Sequence, residues 1–409
     1  MYDPVWTAFT YVSAFILLYV NVIYIALLIR FRKLVHWSPE PVPDEDLPKI
    51  SVVIPAYNES ENIRASIESV LASDYPKDKL EVIVVDDGST DDTYDIAKEY
   101  TKYGVKVYRK PNGGAADAKN YGAERSTGEF IATLDSDSRV DTQAFRRLIA
   151  YFREKNVAAV TGAVRVYDPK KLIEKVQAIE YDIILVLRRL IMGVESVYVT
   201  PGGLSMFRRG PFFEVGGFNK NSLTEDQEIA INLQRHGYKI RASLDAFSYT
   251  VVPDTLFKLI KQRVRWLRGG IWNRIYHRRL YSPKYGDFVF FGMMFDFVYS
   301  IPLLIFAIGI LRNVLYNGLW TERLGYLSSL LLSIDPLMLT TVVVLIIGIP
   351  YTAYLVNVLR SKAGEKRVGM KDIVPFISYV FFYGYIWVAV WIITFWQELR
   401  GGGYIWGTR

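Results

Sequence analysis

Aspartates follow two apolar segments of this chain. Residues 80–85 form an apolar run that ends at Asp86, and residues 130–134 form another that is followed by Asp135 and Asp137. Side chains two positions apart on an extended backbone point to the same face, so Asp135 and Asp137 can address one cation and its phosphates. An acidic turn without a ligand is the alternative, because two aspartates at this spacing often occur by chance.

A metal ion at such a pair would have oxygen ligands. The chain has no cysteine, and its three histidines, His36, His236 and His277, are far apart in the sequence. This composition excludes disulfides and thiolate zinc sites. It leaves Mg²⁺ or Mn²⁺ as the expected cofactor, and such an ion neutralises the negative charge of a departing nucleoside diphosphate.

Asp86 and Asp87 offer a second use for carboxylates at the end of a strand. They precede Gly88 and could accept hydrogen bonds from a nucleobase or a ribose. The stretch at residues 89–92 is also a good N-terminal cap for a helix. The two roles are compatible, because a cap and a ligand contact use different residues.

Asp226 lies just before a helical run at residues 229–235. One carboxylate is enough for an inverting sugar transfer, in which it removes the proton of the acceptor hydroxyl as that oxygen attacks the anomeric carbon. The alternative is an ordinary acidic residue at the N-terminus of a helix, where the helix dipole favours negative charge.

Gln262, Arg265 and Trp266 lie together on a basic segment. Arginine pairs with phosphate in a bidentate way, and the flat face of a tryptophan can stack on a sugar ring. A membrane-interface anchor is the alternative role for Trp266.

Gly113 and Gly114 begin a run of small residues that permits close approach of the backbone to phosphates. Lys119 follows on the next predicted helix. The spacing differs from that of ATPase phosphate loops, and a plain turn explains the two glycines equally well.

Strands and helices alternate between residues 50 and 134, which predicts a parallel sheet covered by helices on both faces. Ligands of such sheets collect beyond the carboxyl ends of the strands, where Asp86 and Asp135 are expected. The predicted strands are residues 50–54, 80–85, 105–108 and 130–134, and the predicted helices are residues 62–73 and 91–103.

Long apolar runs flank a charged central block of about residues 30–284. The net charge is +7, and the positive residues border the apolar runs, so we expect them to face anionic lipid and expect no nucleic acid partner. A signal peptide is disfavoured because Asp3 precedes the first run and no small-residue cleavage site follows it. The runs that could span a bilayer are residues 5–29, 288–311, 336–359 and 373–396.

Basic residues predict the orientation of these runs. A basic stretch at residues 30–33 follows the first run, and the loop at residues 360–371 has five basic residues and one acidic residue. Both are therefore expected on the cytosolic side. Pro375 and Gly384 interrupt the run at residues 373–396, which either crosses the membrane or dips in and returns.

Two central segments have apolar residues at helical spacing. Six basic residues surround the apolar stripe of the second segment, so we expect this helix to lie in the membrane interface. Packing into a protein core is the alternative for both helices. The stripes are Leu172, Val176, Ile179, Ile183, Leu187 and Leu190, and then Leu256, Ile260, Val264, Leu267, Ile271 and Ile275, with Lys258, Lys261, Arg263, Arg265, Arg268 and Arg274 as the basic residues.

In this order the motifs resemble those of the processive family 2 glycosyltransferases, the hyaluronan, chitin and cellulose synthases. Each motif alone is loose, but the ordered series is specific, and it covers about residues 50–266 together with the membrane tail. The matching motifs are Pro55-Ala56-Tyr57-Asn58-Glu59, Asp86-Asp87-Gly88, Asp135-Ser136-Asp137, Gly202-Gly203 and the residues up to Arg209, Thr224-Glu225-Asp226, and Gln262-Arg263-Val264-Arg265-Trp266.

The resemblance implies roles for particular residues. Asp226, with Glu225, would be catalytic, and Asp135 and Asp137 would bind the metal ion. The implied acceptor site contains Gly202, Gly203, Gln262 and Trp266. The implied nucleotide site contains Pro55, Tyr57, Glu59, Asp86, Asp87, Lys119, Asp135, Arg265 and Trp266.

The last four residues, from Trp406 to Arg409, resemble the mobile loop that covers the active site in hyaluronan synthases. They would add Trp406 and Arg409 to the nucleotide site, and they favour a cytosolic C-terminus. The run at residues 113–120 departs from the polymer synthases, because its lysine is displaced, and it resembles single-addition members more closely.

The resemblance implies an α/β fold: a cytosolic, Rossmann-like GT-A domain at residues 48–285, with amphipathic interface helices. A transmembrane helix and linker at residues 1–47 and a membrane region at residues 286–409 would flank it in a multi-pass protein of the cell membrane. The implied activity is inverting β-transfer from a UDP-sugar, with processive synthesis and translocation of a polysaccharide. Single addition to a lipid acceptor, as in ceramide glucosyltransferases, is the alternative. A non-catalytic channel is disfavoured because every acidic motif is present.

Overall fold

The computed structural model describes residues 4–294 and 336–401, together with residues 298, 300–302, 304, 305 and 308. Eight strands in this part of the chain form one sheet. They are β1 (Ile50–Ala56), β2 (Leu80–Asp86), β3 (Lys106–Arg109), β4 (Phe130–Thr133), β5 (Ser138–Val140), β6 (Val157–Val166), β7 (Ser205–Arg208) and β8 (Lys239–Thr250).

Helices surround the sheet and extend beyond it. Their positions agree with the predicted helices at residues 62–73 and 91–103 and with both amphipathic stripes. The helices are α1 (Pro4–His36), α2 (Ile63–Leu71), α3 (Thr93–Lys98), α4 (Ala115–Glu124), α5 (Ala144–Ala150), α6 (Leu172–Met192), α7 (Arg209–Glu214), α8 (Glu225–Arg235), α9 (Leu256–Tyr276), α10 (Pro336–Lys362) and α11 (Ile373–Leu399).

The first half of the sheet is parallel, as the alternation of strands and helices predicted. Strands β3, β2, β1 and β4 are neighbours in that order, and all three pairs run parallel. All seven residues of β1 are buried, as expected for a strand covered on both faces. In the register of β1 and β2, Ala56 lies opposite Asp86, so both strands end at the same edge.

The second half of the sheet is mixed. Strand β7 runs antiparallel to both β4 and β6, and β5 runs antiparallel to β8. Because β7 reverses direction, the loop before it runs back to the edge where β4 ends. That loop contains Gly202, whose carbonyl accepts a hydrogen bond from the backbone N–H of Asp135 at 3.0 Å.

Helix α6 connects the sheet to the apolar helices, because it packs on β6 and β8 and also on α1, α10 and α11. Its Arg189 is fully buried. The guanidinium donates to the carbonyls of Leu34 and Trp37 at 3.0 Å and 2.6 Å and to that of Ala242 in β8. The last carbonyls of a helix have no partner within it, so Arg189 joins the end of α1 to the sheet.

A buried ion-pair network makes a second connection. Arg165 of β6 pairs with Asp182 of α6, at 3.0 Å between Nε and Oδ1, and with Glu365 in the loop after α10. Arg360, at the end of α10, pairs with Asp372 at 2.8 Å. The basic loop at residues 360–371 is therefore held against the sheet domain.

Two helices among the described residues are long and apolar enough to cross a membrane, by length and composition. They cover residues Tyr11–His36 and Met370–Leu399. The expected interruption at residues 373–396 is absent, since α11 is one helix of 27 residues. Pro375 lies in its first turn, where the missing N–H has no partner within the helix. Whether α11 crosses or dips into the membrane stays a prediction.

Other parts of the membrane prediction fall partly outside the described residues. The run at residues 336–359 is helical, within α10. The run at residues 288–311 begins with a π-helical segment, Phe288–Met294, and ten of its residues lie outside the described part of the chain, as do Trp406 and Arg409.

Replacing Arg189 with alanine should lower the stability of the whole protein. The change leaves buried carbonyls without donors, and each costs about 1–3 kcal/mol, so we expect a loss of roughly 3 kcal/mol or more. Thermal unfolding in detergent would measure it, with Lys175→Ala as the control, because Lys175 is an exposed cation on the same helix. Equal unfolding temperatures for the two variants would show that Arg189 does not join α1 to the sheet.

Candidate active site

The acidic motifs meet at the carboxyl edge of the parallel strands. Asp86 ends β2, and Asp135 follows β4 by two residues. The two strands flank β1, and adjacent strands are about 4.8 Å apart, so the ends of β2 and β4 are roughly 10 Å apart. The predicted position of both aspartates at this edge is confirmed.

Asp86 is fully buried at this edge. Its Oδ2 atom lies 3.1 Å from Nε of Arg109 in β3, but the geometry is not that of a hydrogen bond, and Oδ2 has no hydrogen-bond partner among the described residues. One acceptor position on a buried carboxylate therefore remains available to a ligand at the end of β2.

Asp87 holds the glycine turn. Its two carboxylate oxygens accept from the backbone N–H groups of Gly113 and Gly114, at 3.0 Å and 2.7 Å, and from Lys110 at 2.6 Å. Gly114 has a φ of 88°, which favours glycine. The turn precedes α4, so Asp87 positions the helix that carries Lys119. A direct contact of Asp87 with nucleotide stays a prediction.

The motif after β1 is braced against the loop after β2. The backbone N–H of Asn58, whose φ is 53°, donates to Ser89 at 3.0 Å, and that of Glu59 donates to Thr93 at 2.8 Å. Pro55 and Glu59 are buried, whereas Tyr57 is exposed at the edge of the sheet. Tyr57 is therefore the member of this motif that a ligand can contact most readily.

Asp135 and Asp137 are both partly exposed, and Ser136 between them is buried. This alternation is the one expected if both carboxylates face the same side. Gly202 lies against Asp135, because a Cβ atom added at Gly202 would lie 2.4 Å from Oδ2 of Asp135. Gly203 packs in the same way on Val164. The structure thus gives both predicted acceptor glycines a role in seating neighbouring side chains.

The two carboxylates of Asp135 and Asp137 suit a divalent cation whose other ligands come from a substrate and from water. No cluster of three or more histidine, cysteine, aspartate or glutamate residues that could hold a metal occurs in the described part of the chain. Mg²⁺ typically uses one or two carboxylates, with phosphates and water as the other ligands. Asp135 and Asp137 supply these two carboxylates and would hold the ion together with the phosphates of a bound nucleotide.

Lys119 joins the Asp135 motif to the Glu225 motif. Its side chain is 2% exposed, and Nζ lies 3.4 Å from Asp135 and 2.9 Å from Glu225. Burial lowers the pKa of Lys119, but the negative charges of Glu225 and Asp135 outweigh it and raise the pKa above its ordinary value. The lysine is therefore a permanent cation between the two motifs.

Glu225 and Asp226 have opposite pKa shifts. Burial raises the pKa of Glu225, but the charge and hydrogen bond of Lys119 bring it below its ordinary value. Burial and then the negative charge of Glu225 raise the pKa of Asp226 to about 6. Glu225 thus remains ionised, and the partly exposed Asp226 is an acid–base group near neutral pH.

Helix α9 holds the loop that carries these acids. Asn273 donates to the backbone carbonyl and to the side chain of Thr224, at 3.1 Å and 2.9 Å. A Cβ atom added at Gly269 would lie 2.4 Å from Oγ1 of Thr224. The close approach of α9 to Thr224 therefore requires glycine and orients the residues that follow.

Arg265 lies beside the same acids, since its charge lowers the pKa of both Glu225 and Asp226. One of its nitrogens donates to the carbonyl of Leu223 at 3.3 Å, and the residue is exposed. Arg265 is therefore accessible to an anionic ligand beside these acids, and its predicted contact with nucleotide stays a prediction.

The structure corrects the predicted environment of Arg263 in α9. The sequence placed it among the solvated or lipid-facing basic residues, but it is fully buried. It pairs with Glu180 of α6 at 2.5 Å, and Tyr383 of α11 donates to the same carboxylate at 2.6 Å. Arg263 can be buried because Glu180, an acidic residue of α6 that is distant in the sequence, compensates its charge. The spacing of residues within α9 gives no information about a partner in another helix.

Gln262 and Trp266, from the same motif, both contact Arg263. Gln262 accepts from Arg263 at 2.6 Å, and the guanidinium of Arg263 lies 4.1 Å from the ring centroid of Trp266. One face of Trp266 is therefore covered by a cation. Contacts of Gln262 and Trp266 with an acceptor stay predictions.

Two residues that shape this site, Asn273 and Glu180, were not predicted from the sequence. Helix periodicity assigned the α6 stripe to apolar packing and ignored the polar positions beside it. The pair Arg188-Arg189 in an otherwise apolar stretch was the available signal, because buried cations require specific partners.

Comparisons with known proteins agree with this geometry. The sequence profile described as "Glycosyl transferase family 2" matches residues 51–216. A poly-beta-1,6-N-acetyl-D-glucosamine synthase of Staphylococcus aureus is 31% identical over 280 residues, which cover 66% of this chain and 67% of that protein. The protein of the same name from Staphylococcus epidermidis is 33% identical over 225 residues, 54% of each chain.

The fold is also found in a solved structure, a mannosyltransferase of Pyrobaculum calidifontis in complex with GDP-Man and Mn²⁺. The two structures align with a TM-score of 0.58 and 17% identity, over 90% of this chain and 99% of the other. At this identity the likeness establishes the GT-A-like α/β fold.

Replacing Gly202 with alanine should displace Asp135 and weaken Mn²⁺ binding in the presence of nucleotide. The added methyl group overlaps the carboxylate, and such overpacking costs roughly 1–3 kcal/mol. Calorimetric titration with Mn²⁺ and UDP would measure the affinity. Gly210→Ala is the matched control, because a Cβ atom at Gly210 meets nothing within 4 Å. Affinities that match in the two variants would contradict the seating of Asp135 on Gly202.

Proposed function

Because this chain belongs to glycosyltransferase family 2, as a processive polysaccharide synthase-like member, we propose that it is an inverting β-glycosyltransferase that extends a polysaccharide from a UDP-sugar. The observation that carries the proposal is the pair Glu225 and Asp226, which Lys119 ties to Asp135. An ionised carboxylate, a base near neutral pH and the proposed metal site thereby occupy one cleft.

The donor would bind along the edge formed by β1, β2 and β4. Tyr57 is exposed there, and Oδ2 of Asp86 accepts no hydrogen bond from any described residue. Asp135 and Asp137 would hold Mg²⁺ or Mn²⁺, which, when bound, would neutralise charge on the diphosphate. Arg265 supplies a second positive charge at the rim, where it can pair with a phosphate of the leaving group.

The transfer itself needs one base. The acceptor hydroxyl oxygen attacks the anomeric carbon, a new C–O bond forms, and the bond to the diphosphate breaks on the opposite face. Asp226 takes the hydroxyl proton, and UDP leaves with the bonding electrons. A single displacement inverts the anomeric configuration, so an α-linked UDP-sugar yields a β-linkage.

The relatives suggest the sugar. Two poly-beta-1,6-N-acetyl-D-glucosamine synthases are 31% and 33% identical to this chain over 280 and 225 residues. We therefore propose UDP-N-acetylglucosamine as the donor and a β-1,6-linked N-acetylglucosamine polymer as the product. Single addition to a lipid acceptor is the competing outcome, favoured by the displaced lysine, Lys119, in the segment after Gly114.

We further propose that the chain is a multi-pass protein of the cell membrane with a cytosolic catalytic domain. The two apolar helices support membrane association. The basic loop at residues 360–371 is fastened to the sheet domain through Arg165 and Glu365, which puts that loop and the cleft on the same side. The product would leave the cleft between α6, α9 and α11 and pass outward through the membrane region.

The full-length protein in detergent, with UDP-N-acetylglucosamine, UDP-glucose and GDP-mannose tested separately with Mn²⁺, checks the proposal. We expect nucleotide release from the first donor and a ladder of growing chains on a gel. Asp226→Asn should abolish transfer and keep UDP affinity. A single glycolipid product would favour the competing function, and no release from any donor would contradict both.

The acidic limb of the pH profile should report Asp226. Its raised pKa of about 6 predicts that kcat/KM falls as the pH drops through 6, where the base becomes protonated. Glu225→Gln removes the adjacent negative charge, which lowers the pKa of Asp226 and moves this limb about one unit lower.

Glu124→Gln is the matched control for this prediction, because Glu124 is exposed; its limb should stay in place. The measurement is nucleotide release as a function of pH at limiting donor. A limb that stays fixed or moves to higher pH in Glu225→Gln would show that Asp226 is not the base.

A further inference from the structure

Arg188 of α6 has no assigned role and, among the residues that the structure describes, no anionic partner. It is partly buried, yet it makes no hydrogen bond or ion pair within 4.0 Å with any residue in the described part of the chain. The next residue, Arg189, points toward α1 and β8. Successive residues on a helix are about 100° apart, so Arg188 projects from a different face.

That face of α6 is turned toward α9. Gln177, three turns earlier on the same face, donates to the carbonyl of Pro253, at 2.7 Å, just before α9 begins. Glu180, one turn further, pairs with Arg263. Val176 and Leu259, each four residues before that ion pair on its own helix, share a buried cluster with Tyr383 of α11. The two helices therefore run in the same direction over this stretch. The same register extended by eight residues puts Arg188 beside position 271 of α9.

This level of α9 is where the catalytic loop is held. Gly269 contacts Thr224, and Asn273 bonds to it. Burial lowers the pKa of Arg188, and the charges of Tyr198 and then Asp226 oppose that effect. The electrostatic influence of Asp226 agrees with this extrapolated position and supports a side chain directed at the cleft.

Resting on the function proposed above, we propose that Arg188 binds the acceptor, donating hydrogen bonds to hydroxyl and ring oxygens of the terminal sugar and so holding the attacking hydroxyl at Asp226. The ligand is the non-reducing end of a neutral, hydroxyl-rich glycan. A guanidinium has five N–H donors and no acceptor, which suits a partner that offers several oxygens.

The position of α6 assigns Arg188 to the acceptor and not to the donor. The donor edge is formed by β1, β2 and β4, whereas α6 packs on the opposite half of the sheet and on the apolar helices α1, α10 and α11. A chain that leaves the cleft toward those helices passes along α6. Arg265, on the exposed rim, and Lys119, engaged with two carboxylates, supply the charges nearer to the diphosphate.

Steady-state kinetics of the full-length protein test this assignment. The acceptor is a β-1,6-linked N-acetylglucosamine pentasaccharide, and the donor is whichever of UDP-N-acetylglucosamine, UDP-glucose or GDP-mannose supports turnover. In Arg188→Ala we expect the KM for the pentasaccharide to rise about ten-fold or more, as for loss of a hydrogen bond from a charged group. The KM for the donor and the Kd for UDP with Mn²⁺ should stay within about two-fold.

Three comparisons keep the test decisive. Arg188→Lys keeps the charge and should recover part of the loss, and Lys175→Ala removes an exposed charge from the same helix and should behave as wild type. Arg188→Gln, which keeps two donors, replaces Arg188→Ala if the latter unfolds. An unchanged KM for the pentasaccharide, or an equal loss for donor and acceptor, would overturn the assignment.

Failure of the proposed function would look different. In that case the wild-type protein would release no nucleotide from any of the three donors, with or without the pentasaccharide. Activity in the wild type with no selective effect in Arg188→Ala would instead contradict the role of Arg188 alone.

Discussion

The Nζ atom of Lys119 lies 3.4 Å from a carboxylate oxygen of Asp135 and 2.9 Å from one of Glu225, and the side chain is 2% exposed. Asp135 follows β4, whereas Glu225 is the first residue of α8, and the two lie 90 residues apart in the sequence. A buried cation requires charged or hydrogen-bonding partners, and the two carboxylates that Lys119 contacts hold the loop of Asp135 and the start of α8 together. The same charge keeps Glu225 ionised, and Glu225 in turn raises the pKa of Asp226. One interaction thus sets both the shape of the cleft and the chemistry of its base.

Much of this arrangement was predictable from the sequence. The parallel strands β1 to β4 and the position of Asp86 and Asp135 at their ends follow from hydrophobic runs that end at acidic residues. The alternation of Asp135, Ser136 and Asp137 follows from extended geometry. Antiparallel β7 was not predicted, because a short strand after a loop has no periodicity that separates it from its neighbours. The burial of Arg263 was not predictable either, since its partner, Glu180, is 83 residues away and only the packing of α6 on α9 reveals it.

The helix α6 joins the chemistry to the apolar helices. Arg189 binds the end of α1, Asp182 shares Arg165 with the loop after α10, and Glu180 shares Arg263 with Tyr383 of α11. We therefore expect a displacement of any of these helices to be transmitted through α6 to α9. Asn273 of α9 in turn holds the loop before Asp226. This physical connection links the cleft to the apolar helices. It also explains why polar residues recur in a helix whose apolar stripe suggested simple packing.

The coupling between Lys119 and Glu225 is the most direct test of this account, and a double-mutant cycle measures it. Lys119→Met, Glu225→Gln and the double variant would be compared for thermal unfolding and for the rate of nucleotide release. Lys119→Met leaves the buried Glu225 without its cation, and Glu225→Gln leaves Lys119 with Asp135 alone. We therefore expect the double variant to be more stable than the sum of the two losses allows, by about 1 kcal/mol or more. Additive losses, with a coupling near zero, would show that the lysine does not join the two ends of the cleft, and the account of the site would be wrong.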